Sequence, residues 1–290
     1  MIARIDQSGT RGRGFPSALL ASIPRHEFFA GLFILGCANG IGARVIQAVN
    51  RLGWADALIG TFEISAIVWF ACFVGVMFIF RNKEKTDVIR SSDVAVGSGF
   101  LLLVILPIGG LSWLAVTALS LYILFLTNAS LTLRKGAIIL LATTVPMLWS
   151  RLLFQFFANL ILEFDAVFVA WLLGTHRTGN IVGFADKSGS LVILPACSSL
   201  ANMSLAFLCW VTVSQSAGHR WSPYDIFWCL LTCASVIAVN VTRISVMGLS
   251  LSHYDAIHGQ WGDTFANMVI LCLTVGISLL GVRRDLLSRA

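Results

Sequence analysis

Long apolar runs recur along almost the whole of this 290-residue chain, each closed by a short basic or glycine-bearing break. A helix of about 20 apolar residues crosses the ~30 Å hydrocarbon core of a bilayer. The runs at 28–48, 57–80, 94–107, 111–128, 136–152, 199–216, 225–250 and 264–282 therefore predict an all-α polytopic membrane protein with about eight transmembrane helices. None of them shows the period-2 alternation that a barrel wall needs. Charged side chains make up 12% of the chain, against about 25% in soluble domains. That is too little polar surface to cover a water-soluble globule. A soluble enzyme, a disordered tail and a nucleic-acid module all fit poorly.

The net charge of +6 comes from clusters that flank the runs: Arg4, Arg11, Arg13 and Arg25; Arg81, Lys83, Lys85 and Arg90; Arg134 and Lys135; Arg283, Arg284 and Arg289. Clusters so placed mark the cytoplasmic side. Residues 1–27 read as a basic cytoplasmic tail, and 28–290 as one transmembrane domain with a catalytic core over about 136–282. Pro107-Ile108-Gly109-Gly110 signals a turn between the third and fourth runs; one long broken helix is the alternative. Residues 154–174 carry Asn159, Glu163 and Asp165, with the two acids about 200° apart around a helix. Acids at bilayer depth are costly, so this segment is expected to be an amphipathic helix at the outer interface. Both termini are then cytoplasmic, and the outer segments hold only Arg51, Arg177, Lys187 and, at a rim, Arg151. Phe33 to Cys37 also matches a lipoprotein cleavage box, but the run continues past Cys37 and reads as an uncleaved span.

Polar residues within the apolar runs are the candidates for chemistry. Arg243 lies in the seventh run, about 10 Å along a helix from its outer end. It cannot shed its proton and must find an anion, carbonyls or water. Asn240, three residues earlier, shares its face. Cys197 follows a glycine-bearing outer stretch with two strand-like pieces, Asn180–Phe184 and Ser190–Leu194, and opens a helix at Pro195-Ala196-Cys197-Ser198. A helix N-terminus favours a thiolate. His253 and His258 lie in a predicted outer loop, Ser252–Asp263, where Asp255 and Asp263 are near enough to orient an imidazole. Each residue also has a plain reading: an arginine capping helix carbonyls, a small residue at a helix start, an inert loop histidine. Together they place a thiol, an imidazole and a fixed cation on one face, the set that acyl transfer uses.

These residues resemble the exosortase/archaeosortase family of multi-spanning membrane proteins. The resemblance rests on Pro195-Ala196-Cys197-Ser198, on Asn240-Val241-Thr242-Arg243-Ile244, and on His258 followed by Gly262 and Phe265. It departs at Ser199, where the family commonly has Gly. The resemblance implies a cysteine protease/transpeptidase of the cell (inner) membrane with its site toward the periplasmic side. Its partners would be exported proteins ending in a short motif, a transmembrane helix and a basic end, together with membrane lipid and no nucleic acid. Cys197 would be the nucleophile, His258 the proton shuttle and Arg243 the oxyanion holder, supported by Asn240, Ser198 and Asp263.

Two rivals belong to other classes. One is a transporter or flippase whose path is lined by Arg243 and Glu63; no internal repeat supports it. The other is a non-catalytic assembly factor for export of surface polymer or protein. Disulfide exchange is weaker still, since no second cysteine is expected on the outer face. No cofactor or metal is expected, for Cys229 and Cys233 have no histidine nearby. Glu63 is expected to pair with Arg44 or to face the site. His253 is the reserve for His258.

Overall fold

A chain in a bilayer must close its backbone hydrogen bonds within itself, and helices do so. The computed structural model describes residues 23–81, 88–106, 108–219 and 221–287, and among them the chain is almost entirely helical. In order come α1 (Arg25–Leu52), α2 (Trp54–Ile59), α3 (Ala66–Phe80), α4 (Ser91–Ile105), α5 (Gly109–Phe125), α6 (Leu131–Thr144) and α7 (Ser150–Leu173). After a small sheet follow α8 (Ser199–Ser216), α9 (Tyr224–Met247), α10 (Leu251–His258) and α11 (Gln260–Leu287). Four segments are long and apolar enough to cross a membrane: Arg25–Leu52, Leu131–Leu173, Tyr224–Met247 and Trp261–Arg283; α3, α4 and α5 are shorter apolar helices. Exposed Phe73, Leu102, Phe156 and Trp171 give the bundle the apolar outside of a membrane protein. The first 22 residues of the expected tail, with Lys83, Lys85, Pro107, Arg220 and Arg289, lie outside the described residues.

The N-terminal half packs α1, α3, α5 and α6 around Phe29, Phe33, Ile79, Leu119 and Leu140. Between α3 and α6 the backbones nearly touch. A Cβ at Gly136 would sit 2.7 Å from the Gly75 carbonyl oxygen, so only glycine allows this approach. Arg25, which the sequence places in the tail, instead opens α1. Its Nε and Nη2 donate to Asp93 of α4 at 2.7 and 2.8 Å, with both side chains buried. Tyr122 and the Arg90 backbone N–H also donate to Asp93. The α8 helix joins this half to the C-terminal half, where α8, α9 and α11 pack on one another.

Four expectations need correction. The second run does not form one helix: α2 and α3 are separated by Thr61–Glu63, three residues in the left-handed region. Glu63 pairs there with Arg51, not Arg44. The fifth run and the amphipathic segment join into a 43-residue helical stretch. Straight, it would measure about 65 Å, twice a bilayer core, but it bends twice. Pro146, which lacks an N–H, sits in a π-turn at Val145–Trp149, and Phe157 is non-helical (φ −124°, ψ 24°). The outer "loop" around the histidines is largely α10, whose first turn is capped by Ser250. Cys37 is buried within α1, and the helix runs on past it to Leu52. The third and fourth runs do give separate packed helices, α4 and α5, with Gly109 and Gly110 opening α5.

Candidate active site

The stretch before Cys197 folds as a three-stranded antiparallel sheet: β1 (Arg177–Thr178), β2 (Ile181–Gly183) and β3 (Ser190–Val192). Val182, Leu191 and Ile193 turn inward onto Ala166 and Val169 of α7 and Val241 and Ile244 of α9. The sheet is tied to the end of α9 by main-chain bonds from Ala185 to Gly248 (2.9 Å) and from Asp186 to Leu249 (3.3 Å). Its last strand delivers the chain to a 3₁₀ turn, Pro195–Cys197, and then to α8. Cys197 therefore stands just before the helix cap. Ser198 is the N-cap, and its Oγ accepts from the Leu200 N–H at 3.3 Å.

Two buried polar side chains hold this turn. Asn240 of α9 donates through Nδ2 to the Cys197 carbonyl (2.7 Å) and to Ser199 Oγ (3.0 Å). Asp165 of α7 accepts from the Ser199 N–H at 3.0 Å, placing a carboxylate against the positive end of α8. Asp165 was missed as a site residue by sequence reasoning; the signal was an acid in an apolar run with no visible partner. Glu163 is exposed and Asp165 is 2% exposed, as their angular separation requires. Ser199 is also accounted for: its hydroxyl occupies one of the two Asn240 donor bonds, a contact that glycine could not make.

Cys197 is a half-buried free thiol. It shares a narrow cleft with His258, Tyr254, Ile244, Met247 and the β3 residues Leu191 to Leu194. The cleft's open volume is about 10 Å³, enough for about one water molecule. His258 ends α10 and stacks on Tyr254, with ring centroids 4.8 Å apart at 23°. The imidazole and the thiol make no hydrogen bond to each other, and Asp255 does not orient the ring. His253 does not line the cleft; its Nδ1 lies 2.7 Å from Ser250 Oγ.

Arg243 projects from α9 on the Asn240 face, within electrostatic reach of Cys197. Its Nη2 donates to Asp263, in the first turn of α11, so Asp263 serves the arginine and not the histidine. The Arg243 Nε is buried and has no hydrogen-bond partner. A buried donor without an acceptor is costly unless something fills the place. Arg243 also lines an apolar groove of about 460 Å³ between α9 and α11, with Ala238, Val239, Thr242, Phe265 and Val269. Gly262 sits where α10 meets α11, and a Cβ there would run into the Ile257 carbonyl oxygen. Among the described residues no group of His, Cys, Asp and Glu could hold a metal ion.

In comparisons of the chain, no family model, no curated protein and no solved structure matches.

Proposed function

We propose that the protein is a membrane-embedded cysteine protease/transpeptidase that removes the C-terminal tail of exported proteins at the outer face of the membrane. The observation that carries this reading is the cleft that brings Cys197, from the turn before α8, together with His258 of α10, with Arg243 and its unpartnered Nε within electrostatic reach of the thiol. The Cys197 sulfur adds to the scissile carbonyl carbon, and His258 takes the thiol proton. The carbonyl oxygen becomes an anion, for which the Arg243 Nε supplies a charged donor. The tetrahedral species collapses with loss of the amine, which takes a proton from His258, and leaves a thioester on Cys197. An acceptor nucleophile gives its proton to His258 and displaces the sulfur; water gives hydrolysis and an amine or hydroxyl gives transfer.

Substrate shape follows from the surroundings. The apolar groove beside Arg243 suits a peptide tethered by an apolar helix in the bilayer, whose scissile bond is held near the cleft. The closed cleft requires α10 to shift before a peptide can enter, and Gly259 after α10 is the natural pivot. The test is tail loss from a tagged reporter ending in a short motif, an apolar helix and a basic end. Wild type is expected to release the tail and Cys197→Ala to leave it intact at matched membrane levels. Equal release by both rules out Cys197 as the nucleophile.

A further inference from the structure

We propose that a second cavity, walled by Arg44 and Arg151, binds the phosphate group of a membrane lipid. It lies between α1, the start of α5 and the start of α7, and shares no residue with the Cys197 cleft. Its polar lining is Arg44 and Gln47 from α1 with Arg151 and Gln155 from α7, over a floor that includes Gly109 and Trp113 of α5.

Among the described residues, neither arginine has a carboxylate or hydrogen-bond partner. Both lie in segments apolar enough to cross a membrane. Two fixed cations in one membrane cavity repel each other, and neither can become neutral. No acid lines the cavity to offset them, so the site is built for an anion brought from outside. The α5 helix adds to this. Its N-cap, Ile108, offers no side-chain hydrogen bond, so the Gly109 and Gly110 N–H groups at the cavity floor have no capping side chain. The helix end packs on α1 there: a Cβ at Gly109 would lie in ordinary contact with the Ala43 Cβ, at 3.4 Å.

Phosphate fits better than carboxylate. Arginines on two separate helices, two glutamine amides and a helix N-terminus approach from different directions, and a tetrahedral group offers oxygens to each. The cavity holds about 280 Å³, just under the ~300–1,000 Å³ of pockets that enclose drug-sized ligands. That accepts a headgroup and leaves the acyl chains outside, against exposed apolar residues such as Ile46 and Leu153. Leu153 and Phe156 share a groove with Leu200 and Met203 of α8. The lipid phosphate would therefore sit level with the first turns of α8, at the same end of the bundle as Cys197.

The test uses the full chain purified in a neutral detergent, with dioctanoyl phosphatidic acid, dioctanoylglycerol and inorganic phosphate as probes, read by native mass spectrometry. Wild type and the exposed-arginine control Arg177→Gln are expected to bind phosphatidic acid alike and dioctanoylglycerol not at all. Arg44→Gln/Arg151→Gln should bind phosphatidic acid at least about tenfold more weakly. Should the double variant fail to fold, by size-exclusion profile and far-ultraviolet circular dichroism, Arg151→Gln alone at the exposed rim replaces it and should still weaken binding. Unchanged affinity in the folded variant, or no phosphatidic acid bound by wild type, overturns the site. Inorganic phosphate binding as tightly as the lipid would overturn the lipid tether and leave a free-anion site.

Discussion

Asn240 makes the sharpest residue-scale prediction, because one amide holds both the Cys197 carbonyl and Ser199 Oγ. In Asn240→Ala both acceptors lose a buried donor, at about 1–3 kcal/mol each. Tail release should fall by about tenfold or more while the protein still inserts. Ser199→Gly removes one of the two bonds and leaves the other, so it should stay within a few-fold of wild type; equal losses in the two variants would mean that the carbonyl contact does not matter. Arg243→Lys keeps a charge but loses the guanidinium fork that reaches Asp263 while leaving Nε free. Steady-state kinetics should show a kcat loss of about tenfold or more with KM little changed, since the missing donor acts on the developing oxyanion. Wild-type kcat in Arg243→Lys would count against that role.

At the scale of elements, the α10–α11 junction and the α1–α4 tie separate function from stability. Gly262→Ala drives a methyl into the Ile257 carbonyl and must displace the residue before His258. It should cut tail release without lowering the melting temperature by more than a few degrees. Asp93→Ala does the reverse. It removes the buried carboxylate that faces the Arg25 guanidinium, at about 3–5 kcal/mol, in the N-terminal half of the bundle and away from Cys197. Thermal unfolding in detergent should show a clear drop, with the activity of the surviving folded protein near wild type. The element pattern was largely legible in the sequence, because apolar runs act locally. The α2–α3 break was not legible: Thr61, Phe62 and Glu63 carry no glycine to signal their left-handed backbone, and the Arg51–Glu63 pair beside it joins residues that meet only once the chain has folded. Nor was α10, whose short helix depends on packing beside α9 and α11.

Across the whole molecule, the candidate site is made by convergence. Asp165, Cys197, Asn240 and His258 come from four different elements. The sequence could name the thiol, the amide and the imidazole, because each stood out in its own segment. It could not pair Asp165 with Ser199 or Asp263 with Arg243, since those pairings exist only once α7 and α11 are packed. The proposed outward orientation has its own check. A membrane-impermeant maleimide should label Cys197 from the outer side of spheroplasts and leave buried Cys37, Cys72 and Cys209 unmodified; labelling only in inverted vesicles would reverse the topology. The central claim, that Cys197 carries the acyl group, is tested most directly by intercepting it. Tail release is run in neutral hydroxylamine, and the retained reporter is read by intact mass. Wild type should yield a reporter ending in a hydroxamate, formed by attack on the thioester, and Cys197→Ala should yield none. Tail release by wild type that never gives hydroxamate, or hydroxamate formed equally by Cys197→Ala, would contradict the account.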